Sequence, residues 1–207
     1  MTTRSPSVAV FDLGGVLIDW NPRHLYRKLF GGDDAAMERF LATVCTQTWN
    51  EHQDAGRSFA AAAALLRAAH PDQADLIDAY GARFDEMMAG AIHGTVEILA
   101  ELRADGVPLY ALSNWSAETY PLAQRRFDFL QWFSGVLISG QEGVIKPSPR
   151  IYRLLLERFG IAASDAVYVD DNPRNVAAGA AFGMRSLHFT DPAALRRDLA
   201  GLGLLGT

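Results

Sequence analysis

Five short runs rich in β-branched and aromatic residues punctuate the chain, at 8–12, 107–112, 135–139, 166–170 and 186–189. Such runs fit a pleated, packed surface, and most are apolar without alternation, as strands covered on both faces are. Between them the period changes to that of helices. Over 95–104, Val96, Leu99 and Leu102 form one stripe that stops at Asp105 and Gly106; over 149–159, Ile151, Leu154 and Leu155 repeat the pattern up to Gly160. Residues 173–182 follow Asn172, with Pro173 opening the helix and Gly183 after it, the order that helix ends favour. Strand and helix in alternation predict an α/β fold with a doubly wound parallel sheet.

The rhythm fails once. Residues 20–88 carry helical patterning, at 23–30, 34–46, 59–69 and 73–88, with breaks at 31–32, 50–56 and 70–71 and no convincing strand. A connection that long inside a compact fold is an insertion with its own structure. The expected organisation is a core domain of residues 1–19 and 89–207, with a small helical cap domain, 20–88, leaving and re-entering near the same strand ends.

At 207 residues the chain is long enough for one substantial core with such an insertion. Its 49% hydrophobic and 21% charged residues exclude a disordered chain. A net charge of −5 gives no general attraction to a nucleic acid backbone. The longest apolar run, residues 59–66, is too short to span a membrane, and the first, 8–11, is too short for a secretory leader. A single cysteine, Cys45, inside an apolar helical pattern, permits no internal disulfide and suits a reducing cytoplasm, the expected location. Only two of the 19 basic residues are lysines, Lys28 and Lys146, so a lysine between a turn and a Pro-x-Pro stretch draws notice.

Ligands of open α/β sheets bind beyond the carboxyl ends of the strands. Four polar stretches fall there: Asp12 with Gly14 and Gly15; Ser113 and Asn114; Lys146 with its prolines; and Asp170, Asp171 and Asn172. Taken alone, Asp12 reads equally as a turn aspartate, and Ser113 with Asn114 as an ordinary turn. As chemistry, Asp12 is a carboxylate on a rigid strand end that could attack a phosphoryl group and share a magnesium ion. Ser113 and Asn114 would then meet non-bridging oxygens. Two adjacent carboxylates repel each other, and a helix cap explains one at most, so Asp170 and Asp171 point to a hard divalent cation. The simplest arrangement has Asp12 and Asp171 as ligands and Asp170 in support. The compact ammonium of Lys146 could neutralise both nucleophile and phosphoryl oxygen; a unit charge pair at 4 Å is worth about 4 kcal/mol at an effective dielectric of about 20, before desolvation.

These stretches, in this order, resemble the motifs of the haloacid dehalogenase (HAD)-type hydrolase superfamily: 11–17 its nucleophile motif, 112–114 its Ser/Thr motif, 146–152 its Lys-Pro-x-Pro-x-Ile-Tyr motif and 167–175 its acidic motif. The long insertion stands where that family carries a helical C1 cap on a Rossmann-like core. Within it, the opening motif and Asp19 are similar to bacterial sugar-phosphate phosphatases of the α-D-glucose-1-phosphate phosphatase kind. The resemblance implies a phosphomonoesterase working through an aspartyl-phosphate on Asp12. Ser113 and Lys146 would hold the phosphoryl group, and Mg2+ would be bound by Asp12, the Gly14 carbonyl and Asp171. Its expected partner is a small phosphorylated metabolite, a sugar phosphate favoured, with no nucleic acid or membrane, and a monomer or weak homodimer as the assembly.

One departure matters. Most phosphatases of that superfamily carry a second aspartate, as acid and base, where this chain has Gly14. Either the substrate leaves easily or the acid is borrowed, with Asp19 and His52 as the candidates. The rival readings are a 2-haloacid dehalogenase, which two carboxylates after the fourth strand disfavour, and a catalytically weak ligand-binding module. Substrate choice would fall to polar and aromatic residues on the cap, Trp20, Asn21, Trp49, Glu51, His52 and Arg57. His24, His70, His93 and His188 show no metal spacing.

Overall fold

The five apolar runs become one parallel sheet in the computed structural model, which describes residues 6–206. Numbered along the chain, its strands are β1 (Val8–Phe11), β4 (Leu109–Ser113), β5 (Gly135–Ile138), β6 (Ala166–Asp170) and β7 (Arg185–His188), in the order β5-β4-β1-β6-β7. All four pairings are parallel, with Val10 of β1 between Tyr110 of β4 and Tyr168 of β6. β4 starts later than the apolar run at 107–112, after Pro108, which has no amide proton for the ladder, and it ends at Ser113.

Helices cover both faces, which is why the inner strands β1, β4 and β6 are mostly apolar, while the edge strand β7, Arg-Ser-Leu-His, is partly exposed. On one face Val10, Leu112 and Tyr168 pack with Ile151, Tyr152 and Leu155 of a helix at Pro149–Phe159. On the other, Phe11, Ala111 and Val169 pack with Leu99 and Leu102 of a helix at His93–Ala104 and with Leu195 and Leu199 of one at Pro192–Gly201. The helix at Pro173–Ala181 begins as read: Asn172 Oδ1 accepts from Arg174 N at 3.0 Å. The chain runs from β1 to β4 and β5 on one side, and places β6 and β7 on the other. The carboxyl end of β1 is therefore the switch point of the sheet.

The inserted segment holds five helices: α1 (Pro22–Leu29), α2 (Asp34–Thr43), α3 (Gln47–Asp54), α4 (Phe59–Ala69) and α5 (Ala74–Ala82). Four begin at side-chain caps, from Asn21, Asp33, Thr46 and Ser58. Two expectations are corrected here. The break placed at 50–56 is largely α3. Its sequence is almost entirely polar and shows no apolar stripe, because the face it buries consists of Asn50, Gln53 and Asp54 beside Trp49. The helix read over 73–88 ends at Ala82. After a short 3-10 turn comes a strand, β3 (Met88–Ala91), paired antiparallel with β2 (Ile18–Trp20). This ribbon ties chain exit to chain return. Met-Ala-Gly-Ala has no strand propensity of its own; the partner strand decides its conformation.

Rings hold the insertion together. Tyr26 lies 5.0 Å from Phe40, Trp49 meets Tyr80 edge-on at 5.0 Å, and Phe84 reaches Trp115 beyond β4 at 6.1 Å. Each such side chain contributes about 1.5–3 kcal/mol on full burial, and the cluster is continuous with one face of the sheet. Cys45 is buried in it as a free thiol. Among the described residues, no helix is long and apolar enough to cross a membrane.

Candidate active site

The carboxyl ends of β1, β4 and β6 bring the predicted residues together. Asp12 is buried directly after β1, its amide bonded to Val169 O at 2.8 Å. Its Oδ1 accepts from Leu13 N and from Ser113 Oγ, each at 2.7 Å, and its Oδ2 lies 2.8 Å from Lys146 Nζ. The same ammonium donates to Asp170 Oδ2 at 2.7 Å and to Leu112 O at 2.9 Å. A buried lysine whose three donors all find oxygen is a fixed charge. Asn114, expected on phosphoryl oxygens, lies at the cavity but has both ends of its amide on the lysine's backbone: Oδ1 accepts from Lys146 N at 2.7 Å and Nδ2 donates to Lys146 O at 3.0 Å. It positions Lys146.

The acidic doublet divides. Asp170 is fully buried: Oδ1 accepts from Asn172 N (2.8 Å) and Asn175 Nδ2 (3.0 Å), and Oδ2 takes Lys146 and a short bond from the Tyr168 hydroxyl. With its oxygens engaged, Asp170 anchors Lys146. Asp171 is exposed, and its carboxylate lies over Gly15: a Cβ there would stand 2.4 Å from Asp171 Oδ2, on a backbone with φ of +74°. His188, assigned nothing from sequence, donates from Nε2 to Asp171 O at 2.9 Å.

Asp12, Asp170 and Asp171 each offer an oxygen within 4.8 Å of the others. Three carboxylates face one buried ammonium, and their proton affinities shift with that imbalance. Burial pushes the Asp12 carboxyl up, against the pull of Lys146 and with Asp170 and Asp171 adding to it. Asp171, though exposed on one side, is raised as well, by the protein that shields its other side and by Asp170. Burial alone would raise Asp170, but Lys146, Tyr168 and the Asn172 amide outweigh it and hold it below the usual carboxylate range. Burial would likewise lower Lys146, yet Asp12 and Asp170 raise it. An all-oxygen donor set with surplus negative charge, and a glycine where a side chain would obstruct Asp171, fits a magnesium ion.

Between these strand ends and the insertion lies a cavity of about 450 Å³. Of the specificity candidates, Trp20, Asn21 and Glu51 line it. The others do not. Trp49 is buried among rings, His52 is exposed, and Arg57 folds back on Gln53 Oε1 (2.8 Å) and Trp49 O (3.1 Å). Asp19 pairs with His24 at 3.0 Å away from the cavity. Helical period explains the sorting: Gln47, Asn50, Glu51 and Asp54 share the inward face of α3, and His52 points away from it. Three of those four were not read from sequence, because the spacing carries meaning only once α3 is known to be a helix.

The profile of haloacid dehalogenase-like hydrolases matches residues 6–183. The chain belongs to this family. A sesquiterpene phosphatase of Aspergillus oryzae, astK, is 28% identical to this HAD hydrolase, over 94% of this chain and 95% of that one. Among solved structures, the HAD family enzyme bt-2542 of Bacteroides thetaiotaomicron, in complex with magnesium and inorganic phosphate, aligns with a TM-score of 0.67 at 20% identity, over 90% of this chain and 95% of that one. The L-2-haloacid dehalogenase RSc1362 aligns at 0.64 and 21%, covering 89% and 86%. The structural likenesses establish the shared fold. The family match and astK support a phosphatase of the family.

Proposed function

We propose that this HAD hydrolase is a magnesium-dependent phosphomonoesterase acting on a small phosphorylated metabolite, a sugar phosphate favoured, through an aspartyl-phosphate on Asp12. The observation that carries the reading is the ammonium of Lys146, shared between Asp12 Oδ2 and Asp170 Oδ2 with Asp171 alongside. Asp12, Asp171 and the Gly14 carbonyl would hold the Mg2+, which when bound supplies Lewis-acid stabilisation of phosphoryl charge. Asp12 attacks phosphorus as the bond to the leaving oxygen breaks, and water then cleaves the acyl phosphate. Ser113 Oγ and Leu13 N orient the carboxylate for attack; Lys146 balances its charge and that of the incoming group. A dehalogenase works without a metal, so its carboxylate substrate would meet the same three acids with no Mg2+ to offset them.

Residues 20–88 act in this reading as a cap that selects the leaving group. Trp20 Nε1, a donor, and Asn50 Oδ1, an acceptor, belong to residues of the cavity wall and are buried without partners among the described residues. A sugar hydroxyl answers either need, since it both donates and accepts. The test is release of phosphate from p-nitrophenyl phosphate and a panel of sugar phosphates with Mg2+ and with chelator. Turnover is expected to require Mg2+ and to vanish in Asp12→Asn; no release across the panel would favour a ligand-binding module.

A further inference from the structure

Gly14 leaves the end of β1 without a proton donor, and the substitutes expected from the sequence are displaced, Asp19 onto His24 and His52 into solvent. Two carboxyls of the insertion line the cavity, Glu51 and Asp54, and of the two only Asp54 is buried. Asp54, the last residue of α3, is only 8% exposed and lines the same cavity as Asp12, Lys146 and Asp171. We propose that Asp54 is the general acid and base of this hydrolase, carried into the site by the insertion. The assignment rests on the phosphatase reading. In the first step Asp12 bonds to phosphorus, the bond from phosphorus to the leaving oxygen breaks, and the Asp54 proton passes to that oxygen. In the second, the Asp54 carboxylate takes a proton from the water whose oxygen attacks phosphorus, and the bond to Asp12 breaks, restoring both carboxyls.

The position is built. Ser139, directly after β5, donates from Oγ to Asp54 O at 2.6 Å while accepting from Trp115 N at 3.0 Å, which pins the end of α3 to the sheet. Asn50, one turn earlier, donates from Nδ2 to Asp54 Oδ2 at 3.0 Å. A carboxyl offers about four lone-pair sites, so this bond and the nearby Ser116 amide leave room for a proton. The titratable groups facing it are Glu51 on its own helix, Asp12 and Lys146 across the cavity and the Tyr80 hydroxyl behind. Burial above all, then Glu51 and Asp12, push Asp54 up to about 7 against Lys146. A group poised there can give a proton and take one back near neutral pH.

The test is kcat/KM with Mg2+ on aryl phosphates running from dinitrophenyl to phenyl phosphate, which reports only the step that expels the leaving group. Asp54→Asn is expected to lose on the order of 10²- to 10⁴-fold on phenyl phosphate, whose oxygen needs a proton, and no more than about tenfold on dinitrophenyl phosphate, whose oxygen does not. Asp19→Asn and His52→Ala should follow wild type along the whole series. An equal loss across the series in Asp54→Asn, no loss, or a leaving-group dependence that appears in Asp19→Asn or His52→Ala overturns the assignment. Should Asp54→Asn not fold, wild type decides: its dependence on leaving-group basicity must steepen as pH rises and Asp54 loses its proton, and a slope indifferent to pH overturns the role. Wild type that releases no phosphate from any of these esters defeats the phosphatase reading itself, and the two failures are thereby told apart.

Discussion

The two walls of the cavity are built in opposite ways. On the sheet side, polar atoms are paired and fixed: Lys146 has three oxygen partners, Asp170 takes bonds on both oxygens, and Asn114 clamps the lysine's backbone at both ends. On the insertion side, Trp20 Nε1 and Asn50 Oδ1 are buried with none among the described residues. A wall whose groups satisfy one another is suited to a constant guest, and in the proposed function that is the phosphoryl group. A wall with unmet donors and acceptors waits for its partners from outside, and there the leaving group varies. The two walls are also held differently: strand ends in a five-stranded sheet hold the first, while the second is joined through a two-stranded ribbon, ring contacts and the Ser139 bond.

The sharpest break in that contrast is Lys146→Ala. It leaves Asp12 and Asp170 buried with no cation, and removing one partner of a buried pair costs about 3–5 kcal/mol. Denaturant unfolding without Mg2+ should show that loss, whereas Asp12→Asn, which relieves repulsion among the acids, should abolish turnover without a comparable drop in stability. An unaltered midpoint for Lys146→Ala would mean the sheet wall is not held by its charges. Gly15→Ala comes next: the new Cβ collides with Asp171 at an already left-handed backbone, and Mg2+ titration calorimetry should find affinity weakened on the order of 10- to 100-fold. Trp20→Phe should be the mildest. Losing one indole donor is worth about 1 kcal/mol, so kcat/KM for a hexose phosphate should fall by about fivefold while that for p-nitrophenyl phosphate stays put; equal losses on both would show that Trp20 does not read the leaving group.

The sheet wall was largely legible in the chain. Strands buried on both faces are continuously apolar, and Asp12, Ser113 and Asp171 each stand where such a run stops, with Lys146 following β5 after a short helix and turn, so local pattern and site largely coincide. Asn114 was found but its role was not, since nothing local says that an amide will turn toward a backbone 32 residues on. The insertion wall was legible only in outline. Its helices with apolar stripes, α1, α2 and α4, could be seen, but α3 buries polar residues and β3 is shaped by its partner, so neither declares itself. Asp54 went unnoticed on that account: on a loop it is one acid among many, and only on a helix does it share a face with Asn50 and Glu51.

By itself, the amino-acid sequence determined the alternation of strand and helix, the long insertion and the acids and lysine at strand ends, because each is a matter of spacing between near neighbours. The tertiary structure alone decided that Lys146 joins Asp12 to Asp170, that Gly15 makes way for Asp171, and that Asp54 rather than Asp19 or His52 enters the cavity. Those outcomes depend on side chains from separate elements competing for the same few ångströms, and no local pattern records which of them arrives.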